Sequence, residues 1–320
     1  METAITLEAT PATLKTRPNF TEAIDAFLAS LDLSENTIAA YRRGLNNFFK
    51  WMADNGKDTP TRSDIRAYKD HLTETYKAST AGLYLSAVRC FFQGAADEAG
   101  RPELNIAARI RSPRKPKGHA KLPMTADQAR AVIDNIDGDS IADKRDHAIA
   151  CVALYGCLRC IEITRLDVED VRPNPEGGAS LDIMGKGHTE KDAIVNIAPE
   201  AMEAVDTYLK AREEAEGRRP SGALFVSTSN RSIGKRLSRR TVSKILKTAM
   251  QAVGIDDPRI TAHSYRHTGI TLIIQGGGSH DEAQKHARHV KADTTDIYIH
   301  EDEARRNTAT MTIADMLKRA

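Results

Sequence analysis

The sequence predicts a mainly α-helical protein with a small antiparallel β-sheet, an α+β chain in two domains. Three observations predict it. The 320 residues exceed what one compact core ordinarily holds. Apolar residues recur every three or four positions over long stretches. Strand-like alternation is confined to short runs, two of which flank one glycine-rich turn.

Residues 1–19 carry Thr, Ala and Pro without periodicity and read as a flexible tail. Residues 20–100 are patterned as helix throughout, which predicts an all-helical bundle. Ser34 is placed to cap a helix whose Ile38, Tyr41, Leu45, Phe48 and Met52 share one face. Arg42, Arg43, Asn46, Asn47 and Lys50 populate the other side, and Asn55-Gly56 is a stop signal. A shorter helix fits Ser63 to Thr75. Ser79 is placed to cap another, with Tyr84, Val88, Phe91 and Ala95 facing inward.

From Arg101 to Lys121 the composition changes. Arg101, Arg109, Arg111, Arg114, Lys115, Lys117 and Lys121 face a single acid, Glu103, while Pro113 and Pro116 block helix. An extended basic linker over 101–121 is predicted. Such a strap is either simply solvated or laid along phosphates, where closely spaced cations gain from counterion release.

The second domain, residues 122–320, opens at Thr125-Ala-Asp-Gln128, spaced as a capping box. Helices are predicted over 126–136, 143–155, 160–166, 199–216, 239–252, 264–274 and 280–289. Strands are predicted over 179–184 and 193–197, joined by Gly185-Lys186-Gly187-His188, with 224–227 as a third. A tail helix over 309–320 carries an apolar stripe of Met311, Ile313, Met316 and Leu317. A second basic cluster, Arg231, Lys235, Arg236, Arg239, Arg240, Lys244 and Lys247, enters a helix after Ser238, with no acid from 231 to 247. It is either a solvated face or a set of phosphate contacts with groove entry.

The totals exclude several classes. No stretch of about eighteen apolar residues occurs, so no membrane span is expected. The first twenty residues lack the basic start and apolar run of a secretory leader. With four cysteines, this predicts a reduced, cytoplasmic protein. Cys157 and Cys160 lack the second ligand pair that a zinc site needs and read as packing thiols, although oxidation there would displace Arg159. No metal and no cofactor are expected.

The chemistry is concentrated in one set of residues. Arg159 and Glu162 lie one helical turn apart, Lys186 sits between two glycines, and His263-Ser-Tyr-Arg266-His267 precedes His289 and Tyr298. A tyrosine hydroxyl, with a pKa near ~10, attacks a phosphodiester only if its proton is removed and the phosphate charge is neutralised. Two arginines hold non-bridging oxygens as charge builds on phosphorus, histidines move protons near neutral pH, and a lysine protonates the departing oxygen. His188 and Lys191 are alternatives to Lys186 on the same hairpin. Tyr265 reads as a packing residue, and His280, His286 and His300 are unassigned.

The ordered set Gly156-Cys-Leu-Arg159-x-x-Glu162, hairpin Lys186, His263-x-x-Arg266-His267, and His289 followed nine residues later by Tyr298 resembles the tyrosine recombinases, or phage integrases. Ser34-Glu-Asn-Thr37-Ile-x-x-Tyr41 is similar to the start of their helical core-binding domain, so the resemblance spans residues 20–300. It implies a core-binding domain followed by the tyrosine-recombinase catalytic domain. It also implies Arg159 and Arg266 as the phosphate clamp, Lys186 as general acid, and His263 assisting proton transfer. His289 would hydrogen-bond a non-bridging oxygen, Tyr298 would be the nucleophile, and Glu162 and His267 would orient the clamp. Double-stranded DNA with specific sites is the implied partner. Arg42, Arg43, Arg114, Lys115, Lys117, Arg236, Arg239, Arg240, Lys244 and Arg288 are candidate DNA contacts. A homotetramer exchanging strands through a Holliday junction, with C-terminal tails exchanged around the ring, is implied as well. The chain departs from the family at Cys157, usually Gly, at Ala287-Arg288, usually Leu-Gly, and at Asp192, usually basic. The implied function is a site-specific DNA recombinase working without ATP or metal, an integrase of a mobile element or a Xer-type resolvase of chromosome dimers; a type IB topoisomerase-like enzyme and a regulator that never cuts DNA are the alternatives.

Overall fold

In the computed structural model, residues 20–114, 121–175, 177–185 and 188–288 are described. The expectations placed on Lys115, Lys117, Lys186, His289, Tyr298, His300 and the 309–320 tail lie outside them. The chain divides into two compact units, Met1–Lys117 and Gly118–Ala320.

The first unit is helical: α1 (Phe20–Ala29), α2 (Glu35–Asp54), α3 (Arg62–Thr75) and α4 (Ala78–Glu98). Leu45, Phe48 and Met52 are buried, as their spacing predicts. Aromatic rings fill the core: Phe48 meets Tyr68 edge-on at 5.0 Å, and Phe20 stacks on Phe49 at 4.2 Å. Gly44 lets α2 approach α4, since a Cβ there would lie 3.1 Å from the Ala87 methyl and the Tyr84 Cα. Thr61 and Asp64 form a capping box at the start of α3, with amide contacts of 2.9 and 3.3 Å.

Three expectations are corrected here. Ser34 is the N-cap of α2, but its hydroxyl meets the Thr37 hydroxyl at 2.9 Å rather than a backbone amide. Ser79 lies inside α4, whose N-cap is Lys77, and the most deeply buried face runs through Ala81, Leu85 and Val88 while Tyr84 and Phe91 are half-buried. The basic segment after Arg101 is not extended at its start. Pro102–Leu104 form a 3₁₀ turn, and Ala107 and Ile110 are buried in the bundle core. Arg89 donates to the Ile110 carbonyl at 3.0 Å and to Ser112 Oγ at 2.9 Å, and Arg62 donates to the Ala108 carbonyl at 2.7 Å. Burial of two apolar side chains and three charge-assisted hydrogen bonds outweigh the extended preference of the prolines downstream.

The second unit contains α5 (Ala126–Asp134), α6 (Ile141–Tyr155), α7 (Cys160–Arg165), α8 (Pro199–Glu216), α9 (Arg239–Ala252), α10 (Ser264–Gln275) and α11 (His280–Ala287). Its strands are β1 (Val171–Pro173), β2 (Ala179–Ile183) and β3 (Ala193–Ile197). The Thr125–Gln128 capping box forms, with contacts of 2.9 and 3.1 Å. Helix α6 is apolar all round from Ala148 to Leu154, and α5, α7, α8, α9 and α10 pack about it. The antiparallel sheet runs β1-β2-β3, with Leu181 opposite both Val171 and Val195. Ala179, Leu181 and Ile183 face the core at the two-residue period of a half-buried strand.

The third strand is therefore Val171–Pro173, not 224–227. Leu224, Phe225 and Val226 are buried and apolar, which is the signal that reads as a strand, but the segment makes only isolated bridges at Ala223 and Val226. Two buried arginines take its carbonyls. Arg212 donates to Ala223 at 2.7 Å and to Leu224 at 3.3 Å, and Arg145 donates to Val226 at 3.1 Å.

Candidate active site

Arg159 is the N-cap residue of α7, and three residues on Glu162 turns its carboxylate back to it. Glu162 Oε2 accepts the Arg159 amide at 2.8 Å, and Oε1 accepts the Arg159 guanidinium at 2.7 Å. The Glu162 side chain is wholly buried, whereas that of Arg159 is 31% exposed, so the pair presents one guanidinium edge to solvent. A third group joins them: Arg288, at the end of α11, donates to Glu162 Oε2 at 2.7 Å. Burial alone raises the Glu162 carboxyl, but Arg288 together with the amide and guanidinium of Arg159 outweighs it, and the carboxyl lies below its ordinary range.

Arg266 lies in the first turn of α10 and is 2% exposed. One guanidinium nitrogen donates to the Cys157 carbonyl at 2.6 Å, and another donates to the Ala287 carbonyl. Burial, then repulsion from Arg159 and Arg288, pulls Arg266 down to about 10, with Glu162 opposing, so it stays charged at neutral pH. His263, at the α10 N-cap, is exposed, and its ring meets the buried His267 edge-to-face at 4.7 Å. The start of α7, the start of α10 and the end of α11 therefore bring Arg159, Glu162, Arg266 and Arg288 into one connected cluster, while His263 and His267 sit beside Arg266 at the start of α10.

The two glycine positions at which the sequence departs from the family pattern carry left-handed backbone. Cys157 has φ 48° and Arg288 has φ 54°. A side chain there costs roughly 1–2 kcal/mol relative to glycine, and such strain concentrates at functional sites. The Cys157 side chain fills a niche at Gly269, where a Cβ would come within 2.5 Å of its sulfur. Burial pushes the Cys157 thiol up to about 12 and raises Cys160 as well. Both are free thiols, Cys157 buried and Cys160 half-buried.

The other candidates divide into anchored and solvent-facing groups. Arg236 donates to the Thr164 and Leu166 carbonyls at 2.8 and 2.9 Å and pairs with Asp167, tying the entry to α9 onto α7. Arg42 pairs with Asp25. Arg43, Arg114, Arg239, Arg240 and Lys244 are exposed. Arg239 also lies near enough to Cys160 to act on its thiol, which places the first turn of α9 beside the clamp helix. On the hairpin, Lys191 is spent on Asp170 and the Arg165 carbonyl, and His188 faces Asp192 at 3.5 Å. His286 meets the Tyr155 carbonyl at 2.7 Å. Tyr265 is buried and donates to the Leu246 carbonyl at 3.3 Å, a packing residue as expected. Among the described residues, no group of three His, Cys, Asp or Glu side chains is placed to hold a metal ion, and no helix is long and apolar enough to cross a membrane.

The sequence reading missed Arg165, which donates to the Gly185 carbonyl at 2.7 Å and braces the base of the β2–β3 hairpin. Asp192, noted only as a departure, accepts the Gly185 amide at 2.7 Å. Because the partners are backbone atoms, no residue pattern announces either contact.

The profile of the phage integrase family matches residues 123–305, and that of the phage integrase N-terminal SAM-like domain matches residues 24–99. The chain belongs to the phage integrase family. Tyrosine recombinase XerD of Ralstonia nicotianae is 31% identical over 303 residues, spanning 92% of this chain and 94% of the relative. Tyrosine recombinase XerC of Pelobacter propionicus is 30% identical over 294 residues, spanning 87% and 90%. Among solved structures, XerH site-specific recombinase bound to a palindromic difH substrate aligns with a TM-score of 0.72 at 18% identity, covering 85% of this chain and 78% of that one. A lambda integrase tetramer bound to a Holliday junction aligns at 0.64 with 19% identity, covering 86% and 76%. These two share the fold. This integrase-family protein is a tyrosine recombinase, a DNA strand-transferring enzyme that acts at specific sites.

Proposed function

We propose that this integrase-family enzyme cuts DNA with Tyr298 and holds the broken end as a 3′-phosphotyrosine. The observation that carries the reading is the approach of Arg159 and Arg266, from α7 and α10, within one partly buried cluster with Glu162 and Arg288, His263 being exposed at the N-cap of the helix that carries Arg266. In water-poor surroundings fixed guanidinium groups stabilise charge that builds on phosphorus far better than solvated ones do. The Tyr298 oxygen attacks the phosphorus as the bond to the 5′ oxygen breaks. His263 accepts the tyrosine proton, Lys186 donates one to the leaving 5′ oxygen, and His289 hydrogen-bonds a non-bridging oxygen. Phosphodiester count is conserved, so attack by a second 5′ hydroxyl reverses the step without ATP. Lys191 is held by Asp170 and the Arg165 carbonyl and His188 faces Asp192, which favours Lys186 as the acid.

Exposed Arg239, Arg240 and Lys244 on α9 would track phosphates beside the clamp, with Arg43 and the Arg114–Lys117 strap adding contacts from the other unit. Four copies would act on two paired sites. The tail over 309–320 would dock on a neighbouring copy, and a groove of about 1090 Å³ lined by Ile133, Leu154, Leu272 and Ile273 together with Arg130, Asp134, Glu282 and Lys285 offers both apolar and charged contacts for it. Similarity to XerC and XerD over most of both chains favours a Xer-type resolution role as the second reading, beside integration of a mobile element.

Covalent trapping tests the proposal. Nicked duplexes from the DNA flanking the gene are incubated with the protein and analysed for an SDS-resistant adduct. The adduct is expected with wild type and not with Tyr298→Phe; an adduct that survives the substitution would reassign the nucleophile. Deletion of 309–320 is expected to abolish synapsis of two sites while single-site cleavage persists, and intact synapsis would remove the tail-exchange proposal.

A further inference from the structure

The last turn of α11 ties both clamp arginines at once. The Ala287 carbonyl receives Arg266, and the next side chain, Arg288, reaches Glu162, which holds Arg159. The Arg288 side chain is 14% exposed, with a second nitrogen donating to the His286 carbonyl at 3.2 Å. Its backbone sits at φ 54° and ψ 48°, a conformation that glycine adopts freely and arginine does not. An arginine kept in a turn that favours glycine, aimed inward at a wholly buried carboxylate 126 residues away, is not explained by solvation.

We propose that Arg288 is a positioning residue of the recombinase rather than a DNA contact. It locks the Glu162 carboxylate so that its other oxygen fixes the Arg159 guanidinium, and thereby sets the spacing of Arg159 and Arg266; this rests on the reading of those two arginines as the phosphate clamp. Glu162 Oε2 takes both Arg288 and the Arg159 amide, which leaves Oε1 for the Arg159 guanidinium alone. Loss of Arg288 frees the carboxylate to rotate, and Arg159 moves with it. A displacement of about 1 Å at a reacting phosphate lowers a rate by about a hundredfold.

The test uses the full-length protein and a pool of nicked random-sequence duplexes, from which covalent selection by wild type yields a substrate. Cleavage of DNA already bound, affinity for that DNA and its salt dependence are then measured for Arg288→Gly, Arg288→Lys, Glu162→Gln and the Arg288→Gly/Glu162→Gln pair. Glycine suits the left-handed turn, so Arg288→Gly keeps the backbone intact. The expected result is a fall of about a hundredfold in the cleavage rate of bound DNA at unchanged affinity. Arg288→Lys should restore part of the rate, and Arg288→Gly should have little further effect once Glu162 is Gln. Weaker binding with a shallower salt slope and a normal rate would make Arg288 a phosphate contact and overturn the proposal. A wild-type rate in Arg288→Gly, or effects that simply add in the double variant, would overturn it too. Failure of wild type to capture any duplex would instead bring down the underlying clamp reading.

Discussion

Among the described residues, the N-terminal bundle buries two polar or charged side chains, Asp64 and Asn105, whereas the C-terminal unit buries ten, Glu162, Arg266 and His267 among them. The bundle's core is a set of aromatic and aliphatic side chains whose burial is its own reward in free energy. The C-terminal unit instead encloses charges, each of which must find its partner or destabilise the fold. Asp64 is the bundle's exception, a buried carboxylate that caps α3 and pairs with Lys57 at 2.5 Å. Arg266, held on two backbone carbonyls, follows the C-terminal pattern. Burial of charge alone does not locate the chemistry, since Arg145 and Arg212 serve backbone carbonyls; what sets the site apart is that Arg266, Arg159 and Arg288 gather about one buried carboxylate, Glu162.

The largest effect that sharpens this contrast is expected from Arg266→Ala. It leaves the Cys157 and Ala287 carbonyls without a donor and should destabilise the C-terminal unit by about 4 kcal/mol, from two charge-assisted hydrogen bonds. Adduct formation should fall on the order of 10³-fold. Calorimetry of the full chain reads the first and gel analysis the second; an unchanged unfolding transition would break the comparison at its centre.

Next comes Glu162. Its carboxyl is held below its ordinary value, so its contribution to stability is complete above the unfolded-state pKa, near ~4.3, and is lost as pH falls through the lower folded-state value. Acid unfolding of the C-terminal unit should therefore set in below about pH 4. Glu162→Gln should flatten that limb and lower stability at neutral pH by about 3 kcal/mol. Denaturant melts across pH 2–7 measure both, and an acid limb identical to wild type would contradict the assignment.

A smaller effect is expected at Cys157. Alanine keeps the left-handed backbone and loses the sulfur, while glycine relaxes the backbone, so Cys157→Gly should be more stable than Cys157→Ala by about 1 kcal/mol. Equal or reversed stabilities in thermal melts would show that φ 48° carries no strain. The smallest is expected on the solvated face of α9. Lys244→Ala should change stability by less than about 0.5 kcal/mol. It should, however, reduce the salt slope of DNA binding by about 1.

Much of this architecture was legible in the sequence because its causes are local. The Thr125–Gln128 cap, the inward face of α2, the β2–β3 pair and the Arg159–Glu162 contact depend on residues within one or two turns of each other. What was not legible depends on distant or backbone partners. Val171–Pro173 is too short, and too marked by its proline, to show strand alternation, while 224–226 looks like a strand but gives its carbonyls to Arg145 and Arg212. Arg288 reads from the sequence as a DNA contact until its reach to Glu162 is seen. The replaced glycines at 157 and 288 stood in the sequence only as departures from the family, and the fold shows that both positions take left-handed backbone beside the acceptors of Arg266.

The most direct measurement of the clamp is cleavage of DNA whose scissile phosphate is replaced by an uncharged methylphosphonate. If Arg159 and Arg266 act by neutralising charge on the non-bridging oxygens, Arg159→Ala should cleave the methylphosphonate much faster than the ordinary phosphate, narrowing its deficit against wild type. If the deficit is the same on both substrates, the arginines do not serve as the phosphate clamp.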